Sequence, residues 1–120
     1  MQTVLVVDDE ASLRSIVCDV LEAAGYRVLT AADGAAALAL AATAEAAVDL
    51  VVTDLTMPGM DGLTLIRHLR TAHPDLRVLI MSGFPQHYET GAARETFLAK
   101  PFTSDALERA VRETLAASTP

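Results

Sequence analysis

Aromatic residues are scarce in this 120-residue chain: it has no Trp, two Tyr and three Phe, 4% in all, although 52% of it is apolar. Its core must therefore be assembled from Val, Leu, Ile and Ala rather than from rings. The single Cys18 excludes an internal disulfide. With no His near it in sequence to activate it, it reads as a small hydrophobe at the edge of the core and not as a nucleophile. No apolar run approaches the ~20 residues of a membrane helix, and the first residues lack a basic region followed by an apolar core and a cleavage site. Cytoplasmic localisation without membrane insertion is the expectation. Positive charge is also short, nine Lys and Arg against sixteen Asp and Glu for a net charge of -7, which opposes direct nucleic-acid binding and favours a protein partner. At this length residues 1–120 form one domain, able to bury roughly two thirds of its unfolded surface.

What is present centres on residues 51–62, where Val51, Val52 and Thr53 lead to Asp54 and then to Met57-Pro58-Gly59-Met60-Asp61-Gly62. The segment Leu50 to Val52 is short, apolar and β-branched, as a strand buried on both faces would be, and Pro58-Gly59 reads as a turn with Pro at its second position. The strand then ends at Asp54, where an open parallel sheet presents its ligand sites. A lone Asp at a strand end is usually ordinary. The chemistry at the other strand ends decides between the two readings.

Thr3 to Val7 is a β-branched run that stops at Asp8, Asp9 and Glu10. Leu13, Ile16, Val17, Val20 and Leu21 follow at helical spacing, and Gly25 can terminate that helix. Arg27 to Ala31 is a second strand, and Asp33-Gly34 opens an Ala-rich helix ending near Ala47 with high propensity but a weak packing face. Beyond Asp54, Asp61 can cap a helix with Leu63, Leu65, Ile66 and Leu69 inward and Arg67, His68 and Arg70 in water. Arg77 to Met81 is a fourth strand ending at Ser82-Gly83. Residues 84–95 leave room for little more than two turns of helix, and Thr96 to Ala99 is a fifth strand ending at Lys100-Pro101. Thr103 can cap a last helix with Leu107, Val111 and Leu115 inward, after which residues 116–120 should fray. Alternating strands and helices specify an α/β fold, one doubly wound five-stranded parallel sheet. The strand order 2-1-3-4-5 is taken from the common form of that architecture.

The strand ends then share one rim: Asp8 and Asp9, Asp54, Ser82 and Lys100. Two like charges ~4 Å apart repel by about 4 kcal/mol at an effective dielectric near 20, so three converging carboxylates need a cation. Carboxylate oxygens with no Cys or His alongside favour Mg²⁺. A cation and the Lys100 ammonium around a carboxylate suit phosphoryl transfer, with Asp54 as nucleophile forming an acyl phosphate.

VVDDE at 6–10, Asp54 with MPGMDG at 57–62, MSG at 81–83 and KPF at 100–102 resemble the receiver domain of two-component response regulators, and the resemblance spans the chain. Each motif alone is weak; all of them in order at strand ends are specific. The resemblance implies a flavodoxin-like fold and a phosphorylation-dependent switch that changes conformation to control a downstream protein target. It implies that Asp54 takes a phosphoryl group from the phosphohistidine of a histidine kinase or phosphotransfer domain, in a Mg²⁺-dependent reaction. The domain would then catalyse only its own phosphorylation and dephosphorylation. It also implies that Asp9 and Asp54 bind Mg²⁺ directly with the Thr56 backbone carbonyl, that Asp8 acts through water, that Ser82 and Lys100 hydrogen-bond the phosphoryl oxygens, and that Lys100-Pro101 is cis. Charge-assisted hydrogen bonds of about 1.5 to 3 kcal/mol each, with the cation, can reach the roughly 5.5 kcal/mol that takes a two-state equilibrium from 1:99 to 99:1.

Two departures from the family pattern stand out. Phe97 occupies the place of a switch aromatic that is more often Tyr. Lacking a hydroxyl, it is expected to disfavour the outward rotamer and couple more loosely to Ser82. The span from Ser82 to Lys100 is short for a receiver, so the fourth helix is expected to be truncated. The segments MSGF and FLAKPFT are similar to receivers of hybrid histidine kinases, which favours that context or a free-standing receiver over a transcription factor. Among rivals, a Mg²⁺-dependent phosphohydrolase with an Asp nucleophile needs a second Asp two positions on, where this chain has Thr56. A flavin-binding domain would need a hydroxyl-rich phosphate loop where Asp8-Asp9-Glu10 stands. A phosphorylation-independent interaction module would have no use for the full acceptor set. His68, His73 and His87 have no metal-ligand spacing and read as surface residues.

Overall fold

A computed structural model describes residues 1–43, 47–83 and 96–116. The strands are β1 (Thr3–Val7), β2 (Arg27–Ala31), β3 (Leu50–Asp54), β4 (Arg77–Ser82) and β5 (Thr96–Ala99), all parallel, in the order β2-β1-β3-β4-β5. The helices among the described residues are α1 (Ala11–Ala23), α2 (Gly34–Thr43), α3 (Gly62–Ala72) and α4 (Ser104–Ala116). The expected truncated helix within 84–95, residues 117–120 of the expected fraying tail and His87 lie outside the described residues, while Ala116 is the last residue of α4; outside too are 44–46, beyond which Ala47 is not helical.

Because side chains alternate across a strand, each central strand feeds two cores. Leu5, Val7, Val51, Val78 and Ile80 pack with Ala37 of α2 and Leu65, Ile66 and Leu69 of α3. Val4, Val6, Leu50, Val52, Leu79 and Met81 pack with Val17 and Leu21 of α1 and Leu107, Val111 and Leu115 of α4. The sheet is thus covered on both faces, and its central strands read as continuous apolar runs for that reason.

Local chemistry sets the helix ends. The side chains of Asp33, Asp61 and Thr103 accept from the N–H groups of Ala36, Thr64 and Ala106 at 2.8, 2.8 and 3.0 Å, each satisfying one otherwise orphan donor. Helix α1 ends at Gly25, whose φ of 98° puts it in the left-handed region; Gly25 N–H donates to Glu22 and Tyr26 N–H to Leu21. Gly59 has φ 81°, the conformation that the third position of a Pro-Gly turn demands.

Two helix faces differ from the sequence expectation. Ile16 is 55% exposed although it fits the apolar stripe of α1. It lies about 100° round the helix from Val17, outside the arc that Leu13, Val17, Val20 and Leu21 turn to the sheet. Arg70 is not simply solvated: it is half-buried, and its guanidinium donates to the Leu76 carbonyl at 3.0 Å, closing the turn into β4.

Candidate functional site

The C-terminal ends of β1, β3, β4 and β5 bring the strand-end residues to one rim of the sheet. Oxygens of Asp8, Asp9 and Asp54 all lie within 4.8 Å of one another. Asp8 is fully buried, Asp54 half-buried and Asp9 exposed, so the cluster opens outward from a buried acid. Lys100, directly after β5, reaches over it, with Nζ 3.2 Å from Oδ1 of Asp54 and 3.9 Å from Oδ2 of Asp8. The Lys100 N–H donates to the Ser82 carbonyl at 2.8 Å, which ties the lysine's backbone to the end of β4. Lys100-Pro101 is a cis peptide bond. Ser82 is buried at that strand end, whereas Thr56, two residues beyond β3, is exposed. Phe97 stands opposite Ile80 in the β4–β5 register and packs, half-buried, on the core shared with α2 and α3.

Burial pushes the Asp8 carboxyl above its ordinary range; the Glu10 N–H and Lys100 draw it back, while Asp54 and Asp9 add to the rise. Its Oδ1 accepts the Glu10 N–H at 2.9 Å, but its buried Oδ2 has no hydrogen-bond partner among the described residues, Lys100 standing only at ion-pair distance. A buried carboxylate oxygen left this way costs free energy unless something positive approaches it. A cluster of three oxygen donors around such an atom fits a hard divalent cation. Burial also pushes the Cys18 thiol up, with Glu22 and Asp19 adding to it, the opposite of the shift that activates a thiol.

Two residues with no role in the sequence reading shape this rim. At Gly62 an added Cβ would stand 2.5 Å from the Asp54 carbonyl oxygen and 3.1 Å from Leu55 Cα, so only glycine lets α3 begin against the end of β3. A glycine at a first helical position, where it costs helix propensity, was the available signal. Arg14 donates to the Asp8 carbonyl at 2.7 Å, a contact that no spacing rule announces.

A model of the response regulator receiver domain matches residues 4–112. The chain belongs to the response regulator receiver domain family. Receiver domains are phosphoaccepting signalling switches of two-component systems, generally not classed as enzymes, and they bind Mg²⁺ in an acidic pocket. The chain is 39% identical over 117 residues to the sensor kinase CckA of Brucella abortus, covering 94% of itself and 12% of that protein. It is 32% identical over 120 residues to the sporulation initiation phosphotransferase F of Bacillus subtilis, covering 95% and 94%. The solved structure of response regulator TrrA from Thermotoga maritima, in complex with Mg²⁺-BeF, superposes with a TM-score of 0.84 at 29% identity, covering 95% of this chain and 99% of that one. The receiver is therefore similar both to a small part of a sensor kinase and to a protein of its own length.

Proposed function

We propose that Asp54 is the phosphoacceptor of this receiver, fed by the phosphohistidine of a histidine kinase or phosphotransfer domain. The observation that carries the reading is the convergence of one cation and two acids on Asp54, with Lys100 Nζ at 3.2 Å and the Asp8 and Asp9 oxygens within 4.8 Å. A carboxylate so placed is held where positive charge can meet incoming phosphoryl oxygens, and positioning with electrostatic stabilisation is most of what phosphoryl transfer asks of a protein.

Asp8, Asp9 and Asp54, with the Thr56 carbonyl, would hold Mg²⁺. When bound, it supplies the positive charge that offsets the three carboxylates and the phosphoryl oxygens. A carboxylate oxygen of Asp54 attacks phosphorus, the P–N bond breaks, and its electron pair returns to the imidazole of the donor. Lys100 and Ser82 hydrogen-bond the transferred oxygens, and Ser82 passes the change to Phe97, two residues along the neighbouring strand from its own partner Ala99. The similar TrrA structure, in complex with Mg²⁺-BeF, supports this reading, since beryllofluoride is a mimic of a phosphoryl group. The same residues would make the domain the catalyst of its own phosphorylation and dephosphorylation, acting in the cytoplasm on a downstream protein.

Incubation with acetyl phosphate and MgCl2 should add one alkali-labile phosphoryl group by intact mass. No adduct on the wild type, or an adduct retained by Asp54→Asn, sinks the assignment.

A further inference from the structure

The turn that carries Asp8 and Asp9 is gripped at several points. The Asp8 N–H donates to the Ala31 carbonyl at 3.2 Å, and Asp8 Oδ1 accepts from the Glu10 N–H at 2.9 Å. The third contact comes from a side chain: Nη1 of Arg14, half-buried in the first turns of α1, donates to the Asp8 carbonyl oxygen at 2.7 Å. A guanidinium donor at that distance makes a strong, charge-assisted bond.

That carbonyl belongs to the same planar peptide unit as the Asp9 N–H, so fixing it fixes the plane from which the Asp9 residue departs. Asp9 needs such support. It is exposed, and its carboxylate makes no hydrogen bond to another described residue, so its place beside Asp8 and Asp54 is set by its backbone. We propose that Arg14 is a positioning residue for the divalent-cation site, holding the Asp8–Asp9 peptide so that both carboxylates face Asp54. The inference rests on the reading of the acidic cluster as a Mg²⁺ site. Arg14 touches none of the reacting groups; it acts through one carbonyl.

Charge and position predict opposite signs, which makes the idea testable. A fixed cation near a metal site repels the metal, so by charge alone removing Arg14 would tighten Mg²⁺ binding. If Arg14 positions the ligands, removing it weakens binding, and groups that orient metal ligands are typically worth about 10- to 100-fold in affinity.

The test is a titration of ¹⁵N-labelled protein with MgCl2, following the amide signals of the rim, for wild type, Asp9→Asn, Arg14→Ala, Arg14→Met and Arg14→Lys. Arg14→Met keeps an apolar stem along α1 where Ala could loosen the helix. The expected result is binding by the wild type that weakens about 10- to 100-fold in Arg14→Ala and Arg14→Met. Part of it should return in Arg14→Lys, whose ammonium can still donate to the carbonyl. Melting temperatures without Mg²⁺ should not follow the same order. Unchanged or tighter Mg²⁺ binding in Arg14→Ala and Arg14→Met overturns the positioning role while leaving the site itself intact. No Mg²⁺ binding by the wild type, or equal binding by Asp9→Asn, overturns the site and the inference together.

Discussion

The Nζ of Lys100 stands 3.2 Å from Oδ1 of Asp54, nearer than the 3.9 Å to Oδ2 of Asp8, so its ammonium sides with the proposed nucleophile more than with the buried acid. Lys100→Met should slow adduct formation from acetyl phosphate by about 100-fold, the usual scale for losing one preorganised donor to a developing charge. Its Mg²⁺ affinity should not fall, because three carboxylates without the ammonium present a more negative site. The rate comes from intact mass against time and the affinity from calorimetry. A wild-type rate, or a loss of Mg²⁺ binding, would show that Lys100 only holds the acids together.

The buried Asp8 gives the metal-free protein a pH-dependent contribution to its stability. Its carboxyl is held above its ordinary value, chiefly by burial. Between the unfolded and folded values the native state therefore carries more protons than the unfolded chain, so the Asp8 contribution to stability improves as pH falls through the folded value and is unfavourable above it. Asp8→Asn should melt a few degrees higher than wild type at neutral pH without Mg²⁺, with a gap that closes as the solution is acidified. Added MgCl2 should raise the wild-type melting temperature and leave the variant's nearly unchanged. A variant less stable than wild type under metal-free conditions contradicts the sign.

Gly62 makes a structural prediction with a functional consequence. The three nearest atoms that a Cβ there would meet, the Asp54 carbonyl oxygen at 2.5 Å, Leu55 Cα at 3.1 Å and the Asp54 carbonyl carbon at 3.3 Å, are all backbone and cannot rotate away. Gly62→Ala should cost about 1 to 3 kcal/mol, the range for overpacking, despite the better helix propensity of Ala. Because the displaced segment carries Asp54, phosphoryl uptake should fall as well. Gly59→Ala, strained by its φ of 81° but with nothing within 4 Å of the new Cβ, should cost stability and disturb uptake less. Denaturant melts and adduct yields for the pair would refute this if both variants lost activity equally.

How much of this was legible in the sequence differs by element. Strands β1, β3, β4 and β5 were readable because each is a short apolar run closed by a polar residue, and the caps Asp61 and Thr103 because a side-chain acceptor precedes a helical stripe; Asp33 was read only as opening its helix. The rim followed from the strand ends once a strand order was adopted. Periodicity alone misplaced Ile16 and Arg70, since which edge of a stripe is covered depends on how the helix is rotated against the sheet and on what the next turn offers, here the Leu76 carbonyl. Gly62 and Arg14 act on backbone atoms brought near only by folding: a glycine at a first helical position was a weak signal of the first, and residue type at a given spacing carries no trace of the second.

Phe97 offers the sharpest test of how this receiver relays its state. The ring is half-buried against the core shared with α2 and α3, opposite Ile80, and it has no hydroxyl to draw it toward water. Phe97→Tyr adds a polar tip that is satisfied only at the surface, so it should shift the unphosphorylated population outward. The wild-type ring signal, in protein with ¹³C-labelled phenylalanine, should then move little on adding Mg²⁺ and beryllofluoride, while the tyrosine variant's ring moves further. Phe97→Ala should cost about 2 kcal/mol, below the full-burial range because the site is only half covered, and leave uptake at Asp54 largely intact. Ring signals that shift as far in the wild type as in the tyrosine variant would mean that the missing hydroxyl does not loosen the coupling.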